Sequence, residues 1–108
     1  MTEPQSRSIR VAAVGDLHCT KTSEGAFQPL FAKTAAGPDV VVLCGDLTDY
    51  GTAEEARVLA RELATVKLPK LAVLGNHDFE SSVPDEVVQI LSETAGVTVL
   101  DGTAIEVL

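Results

Sequence analysis

Apolar residues recur along this chain in two rhythms. Short, mostly unbroken runs at 9–14 ("IRVAAV"), 40–44 ("VVVLC"), 70–74 and 97–100 read as β-strands. Between them the apolar spacing changes to three and four. Phe27, Leu30, Phe31 and Thr34 share one helical face, and Gly37-Pro38 stops that helix. Thr52 and Glu55 match a capping box, in which each side chain bonds the other's backbone N–H. They open a second helix whose apolar stripe is Ala56, Leu59, Leu63 and Val66. Pro84 suits the first turn of a third helix, with Val87, Ile90, Leu91 and Thr94 on one face. Asp101-Gly102 predicts a type I′ turn, from which 103–108 returns antiparallel.

The resulting order is β-α-β-α-β-α-β-β. Such alternation predicts an α/β fold: a βαβαβ, mostly parallel sheet with flanking helices and right-handed crossovers. The run at 40–44 is apolar throughout, as suits a strand covered on both faces. With 108 residues there is room for one domain. Residues 1–8, polar and without an apolar stretch, read as a flexible tail and not as a secretory leader.

Composition narrows the partners. The net charge is −8, which argues against a nucleic-acid surface or an anionic membrane. No apolar run is long enough to span a bilayer. Two cysteines, Cys19 and Cys44, are expected as free thiols, which together with the missing leader suggests the cytoplasm.

In a parallel sheet the strands' C-terminal ends lie along one edge, where open α/β sheets bind ligands. Three loops leave that edge: Gly15-Asp16-Leu17-His18, Gly45-Asp46-Leu47-Thr48-Asp49 and Gly75-Asn76-His77-Asp78. Asp16, Asp46 and Asn76 are spaced by thirty residues each, about one β-α repeat, so they hold equivalent places on successive strands. Taken singly, each has a plain explanation: Asp after Gly forms turns, His18 suits a surface, and Asp49 leads into the Thr52 cap. Together they crowd carboxylates, an amide and imidazoles into one small volume. Without a cation Asp16 and Asp46 would repel each other in a partly desolvated cleft, and a metal removes that cost. Oxygen donors mixed with imidazole suit Mn, Fe, Zn or Co better than Mg or Ca.

These loops resemble the signature of the calcineurin-like metallophosphoesterases: Asp-x-His, then Gly-Asp-x-x-Asp, then Gly-Asn-His-Asp/Glu. The resemblance implies half of an α/β/β/α sandwich and a site for two divalent metal ions (Mn, Fe, Zn or Co). It implies Asp16 and His18 on the first metal, Asp46 bridging both, and Asn76 on the second. It implies His77 as general acid, Asp78 holding its ring, and Asp49 as a residue that shapes the loop. The expected activity is hydrolysis of a small phosphomonoester or phosphodiester by a metal-bridging hydroxide. The family's later Gly-His and Gly-His-x-His motifs are missing, and His18 and His77 are the two histidines of the chain. Residues 1–108 are therefore expected to form the N-terminal portion of one domain, with a partial metal site and self-association through a truncated edge. The alternatives are a non-catalytic metal-binding scaffold of the same fold, which has no need of His77, and a receiver-type signalling domain. The receiver lacks an Asn76-His77 pair and requires a lysine after a late strand.

Overall fold

The computed structural model describes residues 8–34 and 36–102. Four strands, β1 (Val11–Val14), β2 (Val40–Cys44), β3 (Lys70–Val73) and β4 (Val97–Val99), alternate with three helices. The helices are α1 (Gln28–Thr34), α2 (Ala53–Leu63) and α3 (Pro84–Ala95), and a 3-10 turn, Asn76–Phe79, follows β3. The sheet is all-parallel in the order β1-β2-β3-β4. This is the α/β fold expected. Residues 1–7 of the expected tail and the returning strand 103–108 lie outside the described residues.

The order has a physical consequence. Each crossover moves one strand in the same direction, and right-handed crossovers then lay every helix on one face. The burial pattern agrees. Ala12, Val14, Val41, Leu43, Ala72, Val97 and Val99 pack into or against the core, whereas Val11, Ala13, Cys44 and Val73, with the opposite pleat, are exposed. So β2 is not covered on both faces by the described residues. On the side away from the helices Val40 is buried, Val42 is half-buried and Cys44 is exposed, so cover there fades along the strand.

α2 lies in the middle of the helical layer, between α1 and α3. Its capping box forms as the sequence predicts: Glu55 N–H donates to Thr52 Oγ1 at 3.1 Å, and Thr52 N–H donates to Glu55 Oε1 at 3.1 Å. Ala56, Leu59, Leu63 and Val66 are all buried. Glu62 is buried too, and it accepts from Phe27 N–H and Gln28 Nε2, which ties the start of α1 to α2. Two positions differ from the predicted faces. Leu30 and Thr94 are exposed, because Phe31 in α1 and Leu91 and Ala95 in α3 already fill the contact. α3 ends at Gly96, whose left-handed φ of 66° lets its N–H reach Leu91 and Ser92 carbonyls.

Lys70 is the one buried cation among the described residues. Its Nζ donates to the carbonyls of Leu63, the last residue of α2, and of Val66 just beyond it. Burial, with Lys67 nearby, lowers its pKa from the ordinary 10.5. Among the described residues no helix is long and apolar enough to cross a membrane.

Candidate metal centre

The three loops stay paired beyond the strands. Asp16 N–H donates to Gly45 O, His18 N–H to Asp46 O, and Cys19 N–H to Leu47 O. The chain returns the favour with Asp49 N–H donating to Cys19 O. This zipper forces unusual backbone. Four non-glycine residues among those described have positive φ: Asp16 (54°), His18 (48°), Asp46 (49°) and Ser82 (59°). Left-handed backbone costs a non-glycine residue roughly 1–2 kcal/mol, and such strain collects at functional sites. Asp16, His18 and Asp46 are three of the four residues expected to hold metal; the fourth, Asn76, has no positive φ.

Their side chains meet. Asp16, His18 and Asp46 offer ligand atoms that all lie within 4.8 Å of one another. A second group, His18, Asp49 and His77, does the same. His18 belongs to both, and its ring meets that of His77 edge-on with centroids 4.7 Å apart. Asn76 is exposed at the first position of the 3-10 turn. It is kept beside Asp46, because the next residue's N–H, that of His77, donates to Asp46 Oδ1 at 3.0 Å. Oxygen and imidazole donors in two overlapping groups could hold divalent metal.

Two glycines make this approach feasible. A Cβ on Gly75 would collide with the Asp46 carboxylate and with Asp46 N at 2.5 Å, although its φ of −111° is ordinary. Gly51 has φ of 69°, and a Cβ there would collide with the Asp78 carbonyl.

Asp78 does not hold the His77 ring, contrary to what the resemblance implies. It is fully buried (0% exposed) and its two oxygens are already engaged. Oδ1 accepts from Thr48 N–H (2.8 Å) and Thr48 Oγ1 (2.7 Å). Oδ2 accepts from Leu47 N–H (3.1 Å) and Gly75 N–H (2.9 Å). It is the peg that joins the second loop to the third. The reason lies in the turn: successive residues of a 3-10 helix point about 120° apart, so adjacent side chains diverge.

The ring's partner is Asp49. His77 Nδ1 lies 2.7 Å from the Asp49 carbonyl, which can only accept, so Nδ1 carries a proton. Asp49 Oδ1 stands 3.6 Å from His18 Nδ1 and 3.9 Å from His77 Nδ1. The bond to the Asp49 carbonyl raises the His77 pKa, burial opposes it, and the carboxylates of Asp46, Glu80 and Asp49 add to the rise. The sequence underrated Asp49. The divergence of neighbours in a tight turn was the signal that a partner must come from another loop.

Cys19, next to His18, takes no part. It faces the core, and burial pushes its thiol up to about 12, so it stays protonated and is no thiolate ligand. Both cysteines are free.

A parallel sheet that gathers carboxylates and imidazoles on its strand ends defines an α/β protein with a candidate divalent-metal centre. The chain belongs to the calcineurin-like phosphoesterase family, whose model matches residues 9–99. Among curated proteins, none matches it.

Proposed function

We propose that the chain serves as a metal-dependent phosphoesterase acting on a small phosphomonoester or phosphodiester. The observation that carries this is the strain: Asp16, His18 and Asp46 all keep left-handed backbone and aim their ligand atoms into one 4.8 Å cluster. Asp and His tolerate such backbone in plain turns, so the strain counts because it comes with three ligand atoms converging on one place. Asp16 and His18 would hold one ion, Asp46 would sit between two, and Asn76 would hold the second through its amide oxygen. Two divalent ions of the Mn, Fe, Zn or Co class, when bound, would neutralise phosphate oxygens and make water a nucleophile at neutral pH.

The protein's own groups do the rest. With Nδ1 committed to the Asp49 carbonyl, His77 has Nε2 left to carry a proton to the leaving-group oxygen. General acid help of this kind contributes roughly 10²–10⁴ in rate. Asp78, Gly75 and Gly51 hold the loops so that His77 and Asn76 arrive together.

The test is metal content and hydrolysis measured together. The purified chain, dialysed against Mn²⁺ or Zn²⁺, should retain metal and, with the partial ligand set expected from its sequence, hydrolyse bis(4-nitrophenyl) phosphate or 4-nitrophenyl phosphate only slowly. Asp46→Asn should lose both. Retained metal with no hydrolysis of either ester would favour the scaffold, and full metal content in Asp46→Asn would remove Asp46 from the ligand set.

A further inference from the structure

Beside the metal-ligand cluster, at the ends of β3 and β4, lies a pocket of about 320 Å³. Val73, Val99 and Leu100 line it from the sheet, Phe79 and Val88 from the 3-10 turn and α3, and Asp85 and Asp101 bring carboxylates. It occupies the same edge as the candidate metal centre, about two strand spacings (roughly 10 Å) along from the Asp16–Asp46 cluster and next to the turn that carries Asn76.

The 3-10 turn joins the two places. Residues three apart on such a helix eclipse one another, with a rise of about 2 Å per residue. Asn76 and Phe79 therefore share one face of the turn, roughly 6 Å apart along its axis. His77 and Asp78 take the other two directions, one toward Asp49 and one into the core. Phe79 is 53% exposed, a large ring kept in water beside apolar surface. A phosphate held at Asn76 would direct its ester group past Phe79 into this pocket.

We propose that the pocket receives the organic group of the phosphoester, that this group is an uncharged aromatic ring, and that Phe79 is the specificity-determining contact. The proposal rests on the phosphoesterase function above. Three observations select the group. The volume is at the low end of the roughly 300–1,000 Å³ typical of ligand sites, room for a single ring system. Apolar side chains make up about half of the wall, and among them Phe79 offers a ring for offset stacking. Asp85 and Asp101 repel an anionic substituent and accept from ring hydroxyl or amino groups.

The test is an amide-NMR titration of the full chain loaded with Zn²⁺, using inorganic phosphate, methyl phosphate, phenyl phosphate and 4-carboxyphenyl phosphate. Phenyl phosphate should bind about tenfold more tightly than methyl phosphate through burial of its ring, with shifts at Val88, Val99 and Leu100. The carboxylated ester should lose that advantage, and Asp101→Lys should restore it. Phe79→Ala should abolish the phenyl preference while inorganic phosphate binds as before. Tyr50→Ala, whose exposed ring lies outside the pocket lining, should keep the preference. Equal affinity for phenyl and methyl phosphate, or an unchanged preference in Phe79→Ala, overturns the pocket assignment while phosphate binding persists. Failure of all four compounds to bind overturns the phosphoesterase function itself, and the pocket with it.

Discussion

The helix-covered face of the sheet and the loop edge at its strand ends follow opposite rules. The face is built from Val41, Leu43, Leu59, Leu63, Val87 and Leu91, apolar and buried in regular elements. The edge is built from carboxylates, imidazoles and an amide, and three of its residues keep left-handed backbone. The face gains by excluding water. The edge holds together by hydrogen bonds that run between loops, with Asp78 at their centre. The contrast teaches that this chain has one region that stabilises it and one that is stabilised at a cost.

The largest effect should come from the peg between loops. Asp78→Ala strips acceptors from Leu47, Thr48 and Gly75 donors in a buried place. It should cost about 3–5 kcal/mol, seen as a lower denaturant midpoint. A loss under 1 kcal/mol would show that the loops hold without it. Next comes the face. Leu59→Ala, fully buried in α2, should cost about 2–5 kcal/mol yet leave metal affinity of the folded fraction unchanged. Altered affinity would mean that the two regions are not separable.

A smaller effect with the opposite sign should appear at Asp16. Asp16→Gly relieves the left-handed strain and the repulsion from Asp46. It should stabilise the metal-free chain by roughly 0.5–1 kcal/mol while weakening metal binding. If the metal-free variant is less stable than wild type, strain is not stored at this position. The smallest effect concerns Lys70. Its folded pKa is lowered, so between that value and 10.5 the unfolded chain binds more protons than the folded one. Stability should therefore rise with pH through that window, and Lys70→Met should flatten the rise. A slope of equal size in the variant would assign it to another group.

The bare side of the sheet adds a fifth expectation. Val11, Ala13, Cys44 and Val73 present an uncharged exposed surface. We propose that it drives self-association, visible as a concentration-dependent shift in sedimentation that Val73→Lys should reduce. A concentration-independent monomer would refute it.

Much of the face was legible in the sequence. β2 runs from Val40 to Cys44 as its apolar run predicts, and Thr52 with Glu55 forms the expected cap, because both are decided by neighbours in the chain. Strand ends were less legible: β1 starts at Val11 and not at residue 9, and β3 and β4 each stop one residue early. The last pairing depends on where the partner strand ends, which periodicity does not record. On the edge, the thirty-residue spacing placed Asp16, Asp46 and Asn76 on successive strand ends. The partners of His77 and Asp78 were not legible, since each reaches across about thirty positions to another loop. Sequence adjacency suggested that they served each other, and tight-turn geometry separates them.

The acceptor for His77 Nδ1 is a main-chain carbonyl. Every amino acid brings that same oxygen to position 49. Inheritance can therefore vary the side chain there without depriving the imidazole of its partner. What such changes alter is the carboxylate next to His18, so a drifting lineage can retune the ligand cluster while the proton stays on the same nitrogen.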